Sequence, residues 1–336
     1  MTEFWKGRRV LVTGISGFLG GWLARKLVDA DAEVFGFDLD TTGVLSLHGL
    51  AGAFPVIEGS VLDLDAVTDV LQTNEIEVCA HLAGQSMIEG AAESPLPAWE
   101  VNVRGTWIVL EACRRTPGIR SVATASSNHT YGKQSSYPHG EDAPFNQLDT
   151  YGASKASADL VTRTYARAYG VPAVAVRNTN SFGPADPHGT HVVTGSILSV
   201  LEGNRPVIRS DGRPTKAYLY VEDTVEGYMA LCEGAAASER VRGEGFNVTA
   251  DEPISVIDLV RTILSVADSD LEPDVQGAPD PDPEYEYQLN RSVREAVGWS
   301  PRFSLEQGLR LTLDWYREHG PVKLGAHAGS GSAAAG

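Results

Sequence analysis

Apolar residues in this chain come in short runs, each closed by glycine or an acid and followed by a stretch with helical spacing. "RRVLVTG" is the first such run, and "FLGGWLARKLVDADA" after it sets Phe18, Trp22, Leu23 and Leu27 on one helix face. "EVFGFDLD" and "FPVIEGSVLD" read as the second and third strands, "LDAVTDVLQTN" as a helix and "EVCAHLAG" as the fourth strand. "WEVNVRGTWIVLEACRRT" reads as one long helix, "SVATASS" as a strand, "TYGASKASADLVTRTYARAYG" as a second long helix and "PAVAVRNTN" as a strand. Alternation of this kind predicts an α/β fold, a doubly wound parallel sheet of Rossmann type with helices on both faces. After about residue 180 the rhythm breaks. The region 181–320 predicts a smaller, mixed α/β domain whose elements can interleave with the first, domain 1–180. "SDLEPDVQGAPDPDPEYEY" predicts an extended acidic surface loop, and residues 321–336 a disordered, low-complexity tail.

Bulk properties narrow the function classes. The chain has 336 residues, 42% of them hydrophobic and 21% charged, as in an ordinary globular protein. It has no apolar run of roughly 18 residues, so no membrane-spanning helix is expected. The opening "MTEFWKGRRVLVTG" has no signal-peptide hydrophobic stretch, so no leader is expected there, and Cys79, Cys113 and Cys232 are scattered in apolar surroundings. Reduced, buried thiols and a cytoplasmic protein are the expectation. A net charge of −17 repels nucleic acid and anionic membrane surfaces at long range, yet leaves room for a small phosphorylated ligand held by local donors.

The first candidate site is "VTGISGFLG". Gly14, Gly17 and Gly20 sit between the first strand and the first helix, where they permit a tight turn and close approach of a pyrophosphate. Phe18 and Leu19 open that helix, so the free N–H groups of its first turn join the cofactor set. Asp38 ends the second strand, and a carboxylate there suits the ribose hydroxyls of NAD and repels the extra phosphate of NADP. Asp40 is its rival for that role.

The second candidate site is catalytic. Tyr151 and Lys155 share a helix face at i and i+4, and Ser127 ends the preceding strand. Such a tyrosine can take the proton of a substrate hydroxyl while hydride leaves to NAD. A nearby ammonium, together with the positive charge of the nicotinamide, is expected to stabilise the tyrosinate and lower its pKa toward neutrality, and Ser127 to hydrogen-bond the same oxygen.

With these motifs in place the chain resembles the extended short-chain dehydrogenase/reductases, and within them the nucleotide-sugar epimerases and dehydratases. The resemblance runs from residue 5 to about 318 through "VLVTGISGFLG", "HLAG", "NVRGT", "YGASK", "RNTNSFGP", "YLYVED", "FNV" and "VGWSPRFSLEQGL". "FWKGRRVLVTG" and "PVIRSDGRPTKAYLYVEDTVEGYMAL" look most like CDP-glucose 4,6-dehydratases. The resemblance implies NAD on the Rossmann domain, a nucleoside diphosphate sugar on the smaller one, and a homodimer joined by two helices per subunit. It implies that Ala83 and Asn102 line the NAD site, that Asn180 reaches the sugar diphosphate, and that Arg209 and Lys216 are the basic candidates for phosphate contact. The family often carries a G-D-x-x-D pattern at the adenine. Here "GSVLD" puts Ser60 in the first slot and leaves Asp63 and the backbone at Val61 on that side.

The same resemblance implies oxidation, usually at C4 of the hexose, and its dehydratases choose the later chemistry with the two residues after the strand-end Ser or Thr, commonly acidic. Here these are Asn128 and His129. Asn cannot exchange protons, whereas His can act as acid or base near neutral pH. A 4,6-dehydratase with His129 as the C5 base is favoured narrowly over a C4 or C2 epimerase. A non-catalytic NAD sensor is a remote third reading, since Tyr151 and Lys155 are both present. His81 reads as a packed residue, and His188 and His191 as residues of a solvated loop with no metal-ligand spacing.

Overall fold

Strand β1 (Arg9–Thr13) leaves the surface at Arg9 and continues through four fully buried positions, which is what an unbroken apolar run demands of a strand covered on both faces. The computed structural model describes residues 3–86, 88–147, 149–278 and 285–322. Helix α1 (Phe18–Asp29) buries Leu23, Ala24 and Leu27, the face read from the sequence. Then come β2 (Glu33–Asp38), β3 (Val56–Glu58), α2 (Leu64–Thr73), β4 (Val78–His81), α3 (Ile88–Glu93) and the single turn α4 (Pro95–Pro97). Helix α5 (Thr106–Arg115), β5 (Ser121–Ala125), α6 (Thr150–Tyr169) and β6 (Ala173–Asn178) complete the regular alternation.

The remaining elements are β7 (Asn180–Phe182), α7 (Val192–Leu201), β8 (Val207–Ile208), β9 (Thr215–Lys216), β10 (Tyr218–Tyr220), α8 (Val221–Ala237), β11 (Gly245–Val248) and β12 (Ile254–Ser255). They are followed by α9 (Val256–Val266), β13 (Asp274–Val275), β14 (Tyr285–Glu286), α10 (Arg291–Val297) and α11 (Leu305–His319). Among the described residues one sheet has seven strands in the order β11-β6-β5-β4-β1-β2-β3, and every pairing in it is parallel. Strand order reverses between β1 and β4, so the crevice at their C-terminal ends is where a doubly wound sheet binds ligands.

The sequence reading allowed the two regions to interleave, whereas the π-helical stretch and the strands of the acidic segment depart from it. The outermost strand, β11, comes from beyond residue 180, and α8 packs on β5 and β6, so the later segment is built into the first sheet. The expected single long helix opens with a π-helical stretch, Ala98–Gly105, before α5 begins. The acidic Pro-rich segment holds two short strands, β13 and β14, paired with β8 and β9; its residues 279–284 lie outside the described residues. Most of the tail, from residue 323, also lies outside them. The rest of the C-terminal region surrounds the β7–β10 pair, the sheet β12-β9-β14 and a second core containing Phe182, Ile197, Leu259, Leu313 and Tyr316. All three cysteines are free and buried.

Candidate active site

The glycine turn is dictated by contacts within the chain. Gly14 has φ +70°, and a Cβ there would lie 2.6 Å from the Ala83 backbone nitrogen. A Cβ on Gly20 would lie 2.1 Å from the Gly14 carbonyl oxygen. The turn therefore lies flush against both α1 and the end of β4. Gly17 caps α1 without any side-chain hydrogen bond, so the first turn of α1, with Phe18 and Leu19, offers backbone N–H groups and a positive dipole end to an anion.

Asp38 closes the other side of this turn. Its carboxylate accepts from Ser16 N at 2.9 Å and Leu39 N at 2.8 Å, which fixes it beside the glycine loop. Burial raises its pKa, against the lowering effect of those amides. Asp40, by contrast, accepts from the backbone and hydroxyl of Thr42, within its own loop. Asp63 is exposed and caps α2 through Ala66 N at 3.0 Å, while Ser60 accepts from Leu62 N. These residues fit a dinucleotide with a carboxylate at the ribose.

Asn102 is buried on the π-helical stretch and uses its whole amide on the protein. Its oxygen accepts from Gln85 N at 2.8 Å, and its nitrogen donates to Gln85 O and to Ser154 Oγ at 2.9 Å. It ties the segment after β4, with Ala83 and Gly84, to α6. A Cβ on Gly84 would meet Asn102 Oδ1 at 2.8 Å and Lys155 Nζ at 3.2 Å, so the loop, Asn102 and Lys155 form one wall. His81 is packed behind it, with Nδ1 on Thr13 Oγ1 at 2.7 Å and Nε2 on Thr106 Oγ1 at 3.2 Å. Burial lowers its pKa to about 3, so the ring is neutral.

Ser127, Tyr151 and Lys155 converge as their spacing predicts. Asp149 caps α6 through Gly152 N at 2.8 Å and starts the helix at the tyrosine. Tyr151 hydrogen-bonds Ser127. Lys155 Nζ donates to Ala125 O at 3.0 Å, at the end of β5, and burial brings its pKa down to about 8. The expected lowering of the tyrosine pKa is not what the protein's own groups produce. Burial raises Tyr151, and the Ser127 bond only partly opposes it. The reason is geometric: the ammonium is spent on the Ala125 carbonyl, and desolvation dominates at the phenol.

Asn128 and His129, the pair expected to choose the later chemistry, lie in a buried 3₁₀ turn, Asn128–Tyr131, capped by Ser127. The His129 ring stands edge-on to the Tyr151 ring, 5.7 Å between centroids. Asn128 Oδ1 accepts from Ser127 Oγ at 3.3 Å, and its Nδ2 donates to Glu286 Oε1 at 2.7 Å. Glu286, on β14 and 158 residues away, is buried and escaped the sequence reading. The only trace of it is the alternation in "YEYQ" at the end of an acidic stretch.

The proposed phosphate ligands are dispersed. Lys216 is half-buried on β9, in register with Glu286 of β14. Asn180 starts β7 and donates to Ala217 O at 3.2 Å, beside Lys216. Arg209 is exposed after β8, in a different two-stranded sheet. His188 and His191 are not merely solvated loop residues, contrary to the sequence expectation. Their Nδ1 atoms reach the two oxygens of buried Asp186 at 3.2 and 2.8 Å, and the three ligand atoms lie within 4.8 Å of one another, a grouping able to hold a metal ion. Thr194 Oγ1 and His188 N also donate to Asp186, so hydrogen bonds already saturate the carboxylate. Burial pushes its pKa up, but the two imidazoles outweigh it and hold it well below the usual carboxylate range.

No helix among the described residues is long and apolar enough to cross a membrane. The chain is 30% identical over 315 residues to a UDP-glucose 4-epimerase of Mycolicibacterium smegmatis, covering 92% of this chain and 98% of that one. It is 27% identical over 325 residues to an Arabidopsis thaliana trifunctional UDP-glucose 4,6-dehydratase/UDP-4-keto-6-deoxy-D-glucose 3,5-epimerase/UDP-4-keto-L-rhamnose-reductase. That match covers 94% of this chain but 48% of the Arabidopsis protein, so the chain spans about half the length of such relatives. Its fold superimposes on the crystal structure of a Thermotoga maritima UDP-glucose 4-epimerase with UDP-glucose at a TM-score of 0.85, with 26% identity over 93% of this chain and 99% of that one. The model of the NAD dependent epimerase/dehydratase family matches residues 10–248. With the glycine turn, the Asp38 carboxylate and the Ser127–Tyr151–Lys155 group in place, the chain belongs to the NAD dependent epimerase/dehydratase family and uses NAD as its cofactor.

Proposed function

We propose that the protein is a 4,6-dehydratase-type enzyme acting on a nucleoside diphosphate hexose. The observation that carries this reading is His129, buried and edge-on to Tyr151. A titratable ring beside the oxidising tyrosine is what removal of the C5 proton requires once C4 is a ketone. NAD, when bound at the glycine turn, supplies the hydride acceptor and later the donor. Tyr151 as the phenolate, a form that the positive charge of a bound nicotinamide would favour, takes the proton of the C4 hydroxyl, and Ser127, whose own hydroxyl donates to Asn128, lies beside the same oxygen. Lys155 and Asn102 hold the loop wall behind the reacting carbon.

A C4 epimerase is the second reading, favoured by the neutral amide of Asn128 and by the 30% identity to the Mycolicibacterium enzyme. Incubation with UDP-, dTDP-, CDP- and GDP-hexoses, followed by mass and NMR analysis, separates the two. A product lighter by one water is expected. An isomer of unchanged mass would replace the first reading with the second.

The enzyme is proposed to work as a homodimer through α5 and α6. Trp107, Leu160 and Tyr169 stand on these helices at 46%, 53% and 60% exposure and, with Ile108, Val161 and Tyr165, line an apolar groove. That is the two-helix face such an assembly would bury.

A further inference from the structure

Asn128 leaves this site without the first of the two proton-transfer groups that loss of water from a hexose needs. The structure brings a carboxyl to that place from elsewhere. Glu286 reaches Asn128 from β14, and its Oε1 accepts from Asn128 Nδ2 at 2.7 Å. Its second oxygen, Oε2, is buried and makes no hydrogen bond within the protein. Burying such an atom unpaired forfeits its hydration without return, so a buried orphan of this kind marks a place for a ligand group.

Glu286 is not alone. Gln288, two residues on and therefore on the same side of the extended chain, has both amide atoms buried and unpartnered. His139, bridged to Gln288, has an unpartnered buried Nε2. Together these atoms make a polar wall with one carboxyl oxygen, one amide and one imidazole nitrogen unused. Hydroxyl groups, which both donate and accept, fit that set. The wall is beside the oxidising tyrosine, because Glu286 holds Asn128, and Asn128 in turn accepts from Ser127, the serine that meets Tyr151.

We propose that Glu286 is the general acid of the hexose site, giving its Oε2 proton to the C6 hydroxyl as that group departs. This rests on the dehydratase reading above. In the 4-keto sugar the C5–H bond breaks and its proton passes to the His129 ring. The electron pair forms the C5–C6 double bond, and the C6–O bond breaks. The oxygen takes the Glu286 proton and leaves as water. The step is redox-neutral, and it leaves a protonated His129 and a Glu286 carboxylate whose Oε1 is held by the Asn128 amide. Asn128, which cannot itself transfer a proton, thereby becomes the positioning residue for one that can.

The test compares two substrates on two enzymes. The unaltered enzyme is first assayed for water loss from UDP-, dTDP-, CDP- and GDP-glucose. The nucleotide it accepts is then used as the glucose and the 6-deoxy-6-fluoroglucose derivatives, since fluoride leaves without needing a proton. Glu286→Gln keeps an acceptor for Asn128 and is expected to slow water elimination on the order of a hundredfold to ten-thousandfold. Fluoride release is expected to remain within a few-fold of the unaltered enzyme. Glu286→Asp is expected to lose less than the Gln variant on the hydroxyl substrate, because it keeps the proton donor. Equal slowing of both substrates by Glu286→Gln would assign Glu286 a purely structural role and overturn the proposal. So would water elimination at the unaltered rate, or an Asp variant worse than the Gln variant. If the unaltered enzyme releases water from none of the four sugars, the dehydratase reading itself fails and the acid role falls with it.

Discussion

Lys155 shows how a buried ammonium beside the proposed oxidising tyrosine is kept at the expense of stability. It is buried, and its pKa falls from 10.5 to about 8. The unfolded chain therefore binds that proton more tightly than the folded one. The penalty is fully present below about pH 8 and disappears as pH rises past 10.5, and it corresponds to about 3 kcal/mol. Lys155→Met removes the charge and also the hydrogen bond to Ala125 O, so a net gain of about 1–2 kcal/mol in urea unfolding at neutral pH is expected, together with loss of substrate oxidation. A less stable Met variant would show that the Ala125 bond outweighs the burial cost. His81 works on the acid side. Its folded pKa, about 3, lies below the 6.5 of a free imidazole, so stability falls as pH drops from 6.5 toward 3, by about 1.4 kcal/mol per pH unit. His81→Gln is expected to flatten the dependence of the melting temperature on pH across that window. An unchanged slope would mean that the ring stays neutral for another reason. At this scale the sequence was informative where chemistry is local. Tyr151, Lys155 and the glycines lie in continuous motifs, and the structure brings Ser127 to Tyr151. Glu286 was not legible, because nothing in a two-residue strand announces that it will meet a residue 158 positions earlier. The burial of the phenol was not legible either, because spacing shows which charges are near but not how deeply a group lies.

Helix α6 organises the site as an element. Its N-terminus presents Tyr151, its next turn Lys155 and Ser154, and its middle Asp159, which accepts from Arg177 of β6 at 2.8 and 3.0 Å and from Ser126 Oγ at 3.0 Å. Arg177 is 1% exposed and also donates to Tyr131 Oη at 2.7 Å. The ion pair thus clamps the turn that carries Asn128 and His129. Breaking a buried pair leaves one charge uncompensated, so Arg177→Ala is expected to cost about 3–5 kcal/mol in denaturant unfolding, far more than Arg291→Ala, whose partner Glu295 is exposed. Comparable losses would refute the clamp. The π-helical stretch before α5 makes the same point from the other side. Helical periodicity in the sequence does not distinguish a wide turn from an α-turn. The wide turn serves Asn102, whose carbonyl accepts from Thr106 Oγ1 at 2.6 Å while its side chain holds the loop after β4.

The parallel order of the large sheet followed from strand–helix alternation, whereas its outer edge did not. Strand β11 is separated from β6 by the whole of β7 to α8, and only long-range pairing places it there. On one face of the same sheet, α5 and α6 carry the exposed Trp107, Leu160 and Tyr169. Leu160→Glu is expected to shift the protein to a monomer in sedimentation, since a charge in the centre of an apolar face is not easily desolvated. A monomeric unaltered protein would remove the dimer from the proposal.

The interleaved sheet also bears on how the chain is made. Ala173, Val174, Ala175 and Val176 of β6 are fully buried, yet until residues 245–248 arrive this strand is an open, apolar edge. During synthesis that edge waits for about seventy further residues, a wait of several seconds at ordinary ribosomal rates, with its hydrogen-bonding groups available to any neighbouring nascent chain. Expressed alone, a fragment ending at residue 180 is expected to collect in the insoluble fraction, and one ending after β11 to be markedly less prone to do so. Equal solubility of the two would show that β6 needs no cover. The last strand of the cofactor sheet is thus also its seal against strangers on the ribosome.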